Sequence, residues 1–94
     1  MRLEQLIQDC DVRSIRGSLE TEISFVTNDS RKVRPGSLFV AVNGCGNDGR
    51  AYIPAAIQAG AVAIVCEGGC PEFDGVSVDV SDSRAAVAMI ADSY

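Results

Sequence analysis

The chain has 94 residues, room for one small domain, and a net charge of −5, which argues against nucleic acid or an anionic membrane surface as a partner. It is 47% hydrophobic, with three Phe and two Tyr as its only aromatics, so the core must be built from Val, Ile, Leu and Ala. It contains no histidine, which removes the commonest general base and the commonest metal ligand, and no metal site is expected.

Charge is unevenly placed. Residues 1–50 hold seven basic and seven acidic side chains, whereas residues 51–94 hold one basic side chain, Arg84, and six acidic ones. An anion site is therefore expected in the first half, where Arg31, Lys32 and Arg34 cluster. No stretch is long enough to cross a bilayer, and the N-terminus has no apolar signal-peptide core. A cytoplasmic location follows as the expectation, with Cys10, Cys45, Cys66 and Cys70 as reduced thiols. Cys66 and Cys70 are spaced C-x3-C, which without histidine completes no common zinc pattern.

Leu3, Leu6 and Ile7 stand at i, i+3, i+4 and predict a short helix. A polar stretch runs on to about Glu22. Residues 23–27 read as a strand, broken by Asn28-Asp29-Ser30-Arg31 and followed by an Arg34-Pro35-Gly36 turn. Residues 37–42 are apolar on both faces, as a central strand should be. Residues 43–50 read as a glycine-rich loop.

Ile53, Ala56 and Ile57 then share one helical face. Pro54 lies in the first turn and Gly60 where a C-terminal glycine belongs. Residues 61–65 form a further buried strand, and residues 66–75 a loop. Val76, Val78 and Val80 alternate with polar residues, predicting a half-buried strand. Ser81-Asp82 could cap a last helix with Ala86, Met89 and Ile90 facing inward. That helix carries no stop signal at Tyr94, so residues 1–94 are read as one domain cut from a longer protein. The element order predicts an α/β fold with a small, mixed or partly parallel sheet of about four to five strands flanked by helices.

Gly44-Cys45-Gly46-Asn47-Asp48-Gly49 spells G-x-G-x-x-G between a strand and a helix, and a second strand ends at Glu67. On spelling alone this is a dinucleotide-binding fingerprint with its ribose-binding acid. Two features oppose it. Asp48 would place a carboxylate beside the phosphates, and four residues separate Gly49 from Pro54, so the third glycine does not lie in the helix.

Taken together, Asp29-Ser30-Arg31-x-Val33-x-Pro35-Gly36-x-Leu38-Phe39-Val40-Ala41, Gly44-x-x-x-Asp48-Gly49, Tyr52-Ile53, Ala56-Ile57 and Gly60-Ala61-x-Ala63 resemble the N-terminal domain of the Mur ligase family. The opening Met1-Arg2-Leu3-x-x-Leu6-Ile7 and the Ala-rich stretch after Val80 point to the branch that adds the third amino acid to the peptidoglycan precursor. The branch that adds the terminal dipeptide shares most of these motifs and remains an alternative.

The resemblance implies a longer enzyme. It would use ATP and magnesium to activate the D-glutamate carboxyl of UDP-N-acetylmuramoyl-L-alanyl-D-glutamate for attack by lysine or meso-diaminopimelate. This part would hold the uridine diphosphate end as a monomer. The ATP-binding central domain and the C-terminal domain would lie outside these residues, with no catalytic residue and no cofactor among them. A dinucleotide-binding half-domain of an oxidoreductase and a non-catalytic binding module stay open as other classes.

The resemblance assigns substrate contact to Ser30, to Asn28 through main-chain atoms, and to Cys45, Gly46 and Asn47. Cys45 departs from the polar residue usual at its position, which favours a main-chain contact there. Arg31 could reach a phosphate, but a buried Asp29–Arg31 pair fixing the turn is its expected role. Asp48 and Gly49 are expected to close the loop onto the helix. Lys32 and Arg34 are expected on a solvated face. Asp82-Ser83-Arg84 repeats the Asp29-Ser30-Arg31 tripeptide, and there Asp and Ser are expected to cap a helix.

Overall fold

The computed structural model describes residues 1–44, 47–70 and 73–93. Seven strands and three helices follow in order: α1 (Leu3–Ile7), β1 (Val12–Arg16), β2 (Phe25–Thr27), β3 (Ser37–Val40), β4 (Asn43–Gly44), β5 (Asn47–Asp48), α2 (Ile53–Gln58), β6 (Ala63–Cys66), β7 (Val76–Val80) and α3 (Ser83–Ser93). Single 3-10 turns cover Ser30–Lys32 and Gly49–Tyr52. Five strands form one sheet in the order β1-β7-β6-β3-β2, and β4 and β5 form a separate two-stranded hairpin. β2, β3, β6 and β7 are mutually parallel, and β1 joins the β7 edge antiparallel. The expected α/β fold with a mixed sheet is therefore what the chain adopts.

The sheet is central because its middle strands are apolar on both faces. Leu38, Val40, Ala63, Val65, Val76, Val78 and Val80 point to one side, where they meet Leu3, Leu6, Ala86 and Ile90 of α1 and α3. Phe39, Ala41, Ile64 and Cys66 point to the other, against Ile53 and Ala56 of α2. Every residue of β3 and β6 is buried. Three layers, helix on sheet on helix, follow from that double-sided burial.

Four sequence expectations are corrected. The polar stretch before Glu22 contains β1. Its register shifts between Val12 and Ser14, so that Val12 faces Val80 and Ile15 faces Val78. The bulge places two apolar residues three apart on one face and so hides the strand's period of two. β7 is not half-buried: it lies between β1 and β6, and Ser77 is buried with the valines. In α3, Met89 is 41% exposed and Val87 packs inward in its place. Cys66 and Cys70 are joined as a disulfide, leaving Cys10 as the free cysteine among the described residues.

α2 ends in a Schellman motif, with Gly60 N–H donating to Ile57 O and Ala61 N–H to Ala56 O, each at 3.1 Å. Gly60 has φ of +109°, open to glycine and strained for any other residue. A Cβ there would also lie 2.8 Å from Pro35 Cα. Gly36 N–H donates to Gly60 O at 3.1 Å, so this close approach fixes the turn before β3 against the end of α2. Among the described residues no helix is long and apolar enough to cross a membrane.

Gly60→Ala is expected to lower stability by about 1–3 kcal/mol through backbone strain, read as a lower urea midpoint with an unchanged slope; an unchanged midpoint would mean that the contact with Pro35 is slack.

Candidate functional site

In a parallel sheet, ligand sites gather where strands end at their carboxyl termini, because the connecting loops open there. β2 ends at Thr27 through a side-chain bond: Asp29 N–H donates to Thr27 Oγ1 at 3.0 Å. The next three residues, Ser30–Lys32, make one 3-10 turn capped by Asp29. Asp29 Oδ1 accepts from Arg31 N–H at 2.9 Å and from Arg31 Nε at 3.1 Å, and Oδ2 accepts from Arg31 Nη2 at 3.1 Å. One carboxylate thus holds both the main chain and the side chain of Arg31. The expected Asp29–Arg31 pair forms, but at the surface: the Arg31 side chain is 87% exposed and that of Asp29 27%. These hydrogen bonds hold the Asp29 carboxyl below the ordinary aspartate range and raise Arg31 above its usual value.

The turn packs against α2. Between them opens a groove of about 480 Å³ lined by Asn28, Asp29, Ser30, Arg31 and Tyr52. Tyr52 immediately precedes α2 and is half exposed, so an aromatic ring forms one boundary and a hydroxyl, an amide and a guanidinium the other. Such a set suits a ligand with a planar ring and hydrogen-bonding edges. Lys32 is exposed nearby, as expected. Arg34 is exposed too, but its guanidinium rests 3.9 Å above the Phe25 ring rather than ranging freely in solvent.

Asn28, Ser30 and Arg31 are therefore brought together. Cys45 and Gly46 lie outside the described residues. Asn47 pairs through its backbone with Gly44, and Asp48 with Asn43, while Gly49 opens the 3-10 turn that leads to Tyr52. The segment read as a plain loop is thus a hairpin plus a turn, and it delivers Tyr52 to the groove. In the sequence Tyr52 stands out only as part of an aromatic-Ile pair. No local signal marks it, since spacing does not say which of Tyr52 and Ile53 faces inward; the fold buries Ile53 and exposes Tyr52.

The same geometry weighs against a dinucleotide site. Glu67, the acid that reading requires, accepts from Ser83 N–H at 2.8 Å and from Ser83 Oγ. Gly49 opens a 3-10 turn that precedes α2, so the third glycine lies outside the helix. The repeated tripeptide behaves as expected in part. Asp82 Oδ1 accepts from Arg84 N–H at 3.0 Å and Ala85 N–H at 3.2 Å, capping α3. Ser83 is fully buried, whereas Ser30 lines the groove.

The family description "Mur ligase family, catalytic domain" matches residues 22–94. The chain belongs to the Mur ligase family. Its full length is 43% identical over 97 residues to UDP-N-acetylmuramoyl-L-alanyl-D-glutamate–2,6-diaminopimelate ligase of Bacteroides thetaiotaomicron, and 37% identical over 98 residues to the ligase of the same name from Cytophaga hutchinsonii. In each case the chain spans 20% of the relative's length. Among solved structures, MurF from Acinetobacter baumannii shares the fold with a TM-score of 0.76 at 21% identity, covering 98% of this chain and 20% of that one. MurF ligase from Thermotoga maritima, solved in complex with ADP, gives a TM-score of 0.61 at 34% identity over 76% of this chain and 16% of that one. These Mur ligase structures place the sheet and its flanking helices in a known frame.

The lowered Asp29 pKa carries a pH prediction. A carboxyl held below its unfolded value contributes order that is fully present above the unfolded value and is lost as pH falls through the folded one. The Arg31 amide resonance should therefore stay constant down through the ordinary aspartate range and move only below it. Titration together with the other exposed aspartates would contradict the Asp29–Arg31 bond.

Proposed function

We propose that this chain is the N-terminal, substrate-holding domain of a longer ligase that adds the third amino acid to the peptidoglycan precursor. Its share is to bind the uridine diphosphate end of UDP-N-acetylmuramoyl-L-alanyl-D-glutamate. The carrying observation is the groove of Asn28, Asp29, Ser30, Arg31 and Tyr52 at the carboxyl end of β2. In this reading Tyr52 offers a face to the uracil ring, and Ser30 and the Asn28 main chain bond to the ligand's polar edge. Arg31 stays on Asp29 and supplies positive potential rather than a direct phosphate clamp. By the family resemblance Cys45, Gly46 and Asn47 would also touch the ligand, Cys45 through its main chain, with Asp48 and Gly49 in structural support.

The third-residue branch is favoured over the terminal-dipeptide branch by likeness in sequence. The two relatives named as diaminopimelate ligases match over the whole chain at 37% and 43% identity. The two MurF structures reach 21% and 34%. By the same likeness, the amino acid added is a diaminopimelate. In this reading the chemistry belongs to the rest of the enzyme. There is no G-x-x-x-x-G-K-[ST] loop and no histidine in these residues. ATP and magnesium would therefore be held by the segments of the relatives that this chain does not span. The same reading takes the enzyme as a cytoplasmic monomer without membrane insertion.

Titration with UMP and UDP should shift the amides of residues 28–31 and of the segment leading to Tyr52. Ser30→Ala should weaken that binding about three- to tenfold, the loss of one hydrogen bond. Shifts specific to NAD around Gly44–Gly49, with none at Ser30, would overturn the proposal in favour of a dinucleotide site.

A further inference from the structure

We propose that Cys66 and Cys70 form a reversible thiol-oxidation site, closed by a small-molecule disulfide, whose bond fixes the loop that anchors α3. Cys66 is the last residue of β6 and is fully buried, while Cys70 is half-buried. The chain turns back between them at Gly68 and Gly69, with φ of +75° and +97°, values open to glycine. Their Cα atoms stand 6.0 Å apart, within the span a disulfide bridges.

Two contacts join this small ring to the fold. Glu67, inside the ring, accepts from both the N–H and the hydroxyl of Ser83 at the first turn of α3. On the other side, Cys70 Sγ lies 3.4 Å from Val78 O and lines a small cavity of about 30 Å³ with Ser14, Arg16, Ser77 and Asp79. Asp79 Oδ1 is buried there without a hydrogen-bond partner among the described residues. Opening the bond frees the loop and loosens the Glu67 hold on α3.

The chemistry is thiol–disulfide exchange. The more exposed Cys70 attacks the small disulfide as a thiolate and displaces one thiol, leaving a mixed disulfide. Cys66 then attacks the Cys70 sulfur and displaces the second thiol. One S–S bond forms in the protein and one breaks in the reagent. Two electrons pass to the reagent, and the two cysteine protons end on the released thiols. Excess small thiol reverses both steps. Cys10 is a poorer reactant, because burial and the neighbouring Asp9 raise its thiol above the usual value.

The test equilibrates the reduced chain with oxidised or reduced glutathione and reads alkylation, peptide mass and amide exchange. The expected product in oxidised glutathione is an intramolecular Cys66–Cys70 link with loss of two hydrogen atoms. Amides of residues 67–70 and 83–86 should then exchange about tenfold more slowly than in the reduced form. Cys70→Ser should show the fast exchange in both buffers. Linkage through Cys10 or Cys45, a stable mixed disulfide, or equal exchange in the two forms of the wild-type chain would each overturn the proposal. The wild-type comparison decides the matter even if the variant fails to fold.

Discussion

The burial of β3 and β6 on both faces is the constraint on which the rest of this structure depends. A strand that shows apolar side chains to two sides must be covered twice, here by α2 on one side and by α1 with α3 on the other. Parallel pairing then needs a crossover between β3 and β6, and α2 lies in that crossover. Its N-terminus comes to the carboxyl edge of the sheet, beside the end of β2. The groove of Asn28–Arg31 and Tyr52 is a consequence of that placement.

Within the groove, the Asp29 carboxylate has the decisive local role. It orders the 28–32 turn by bonding both the amide and the guanidinium of Arg31, which leaves Ser30 at the groove with its neighbours fixed. The same bond limits what Arg31 can do. A guanidinium already joined to a carboxylate in two places attracts an anion less strongly than a free one. The second Asp-Ser-Arg copy uses the same aspartate bond to the amide two residues on, but its serine is buried against Glu67. Chemistry at the two copies differs because one precedes an open edge and the other opens a packed helix.

Much of this was legible in the sequence because burial leaves a regular trace. Leu3, Leu6 and Ile7 give α1 by spacing, residues 37–40 give a central strand by continuous apolarity, and Pro54 and Gly60 bracket α2. The Ser30 turn was legible from motif and position together, since the tripeptide alone occurs twice. β1 was not, because its bulge moves Ile15 onto the same face as Val12 and erases alternation. Val87 and Met89 flank the buried Ala86–Ile90 line on opposite sides, about 200° apart around the helix, and spacing alone does not say which flank meets the sheet. Tyr52 was missed as a groove residue because exposure depends on the hairpin before it, a tertiary fact with no local signature. The Cys66–Cys70 bond has the same character, since spacing alone does not say whether two thiols meet.

In the proposed site the β2 edge, and not the opposite end of the sheet, receives the uridine end of the ligand. Intermolecular nuclear Overhauser contacts from uridine diphosphate to the chain test it most directly. Contacts are expected from the uracil ring protons to the Tyr52 ring and the Ser30 β-protons. Contacts instead to Thr21, Ile57 and Phe73, which line a separate groove, would contradict it.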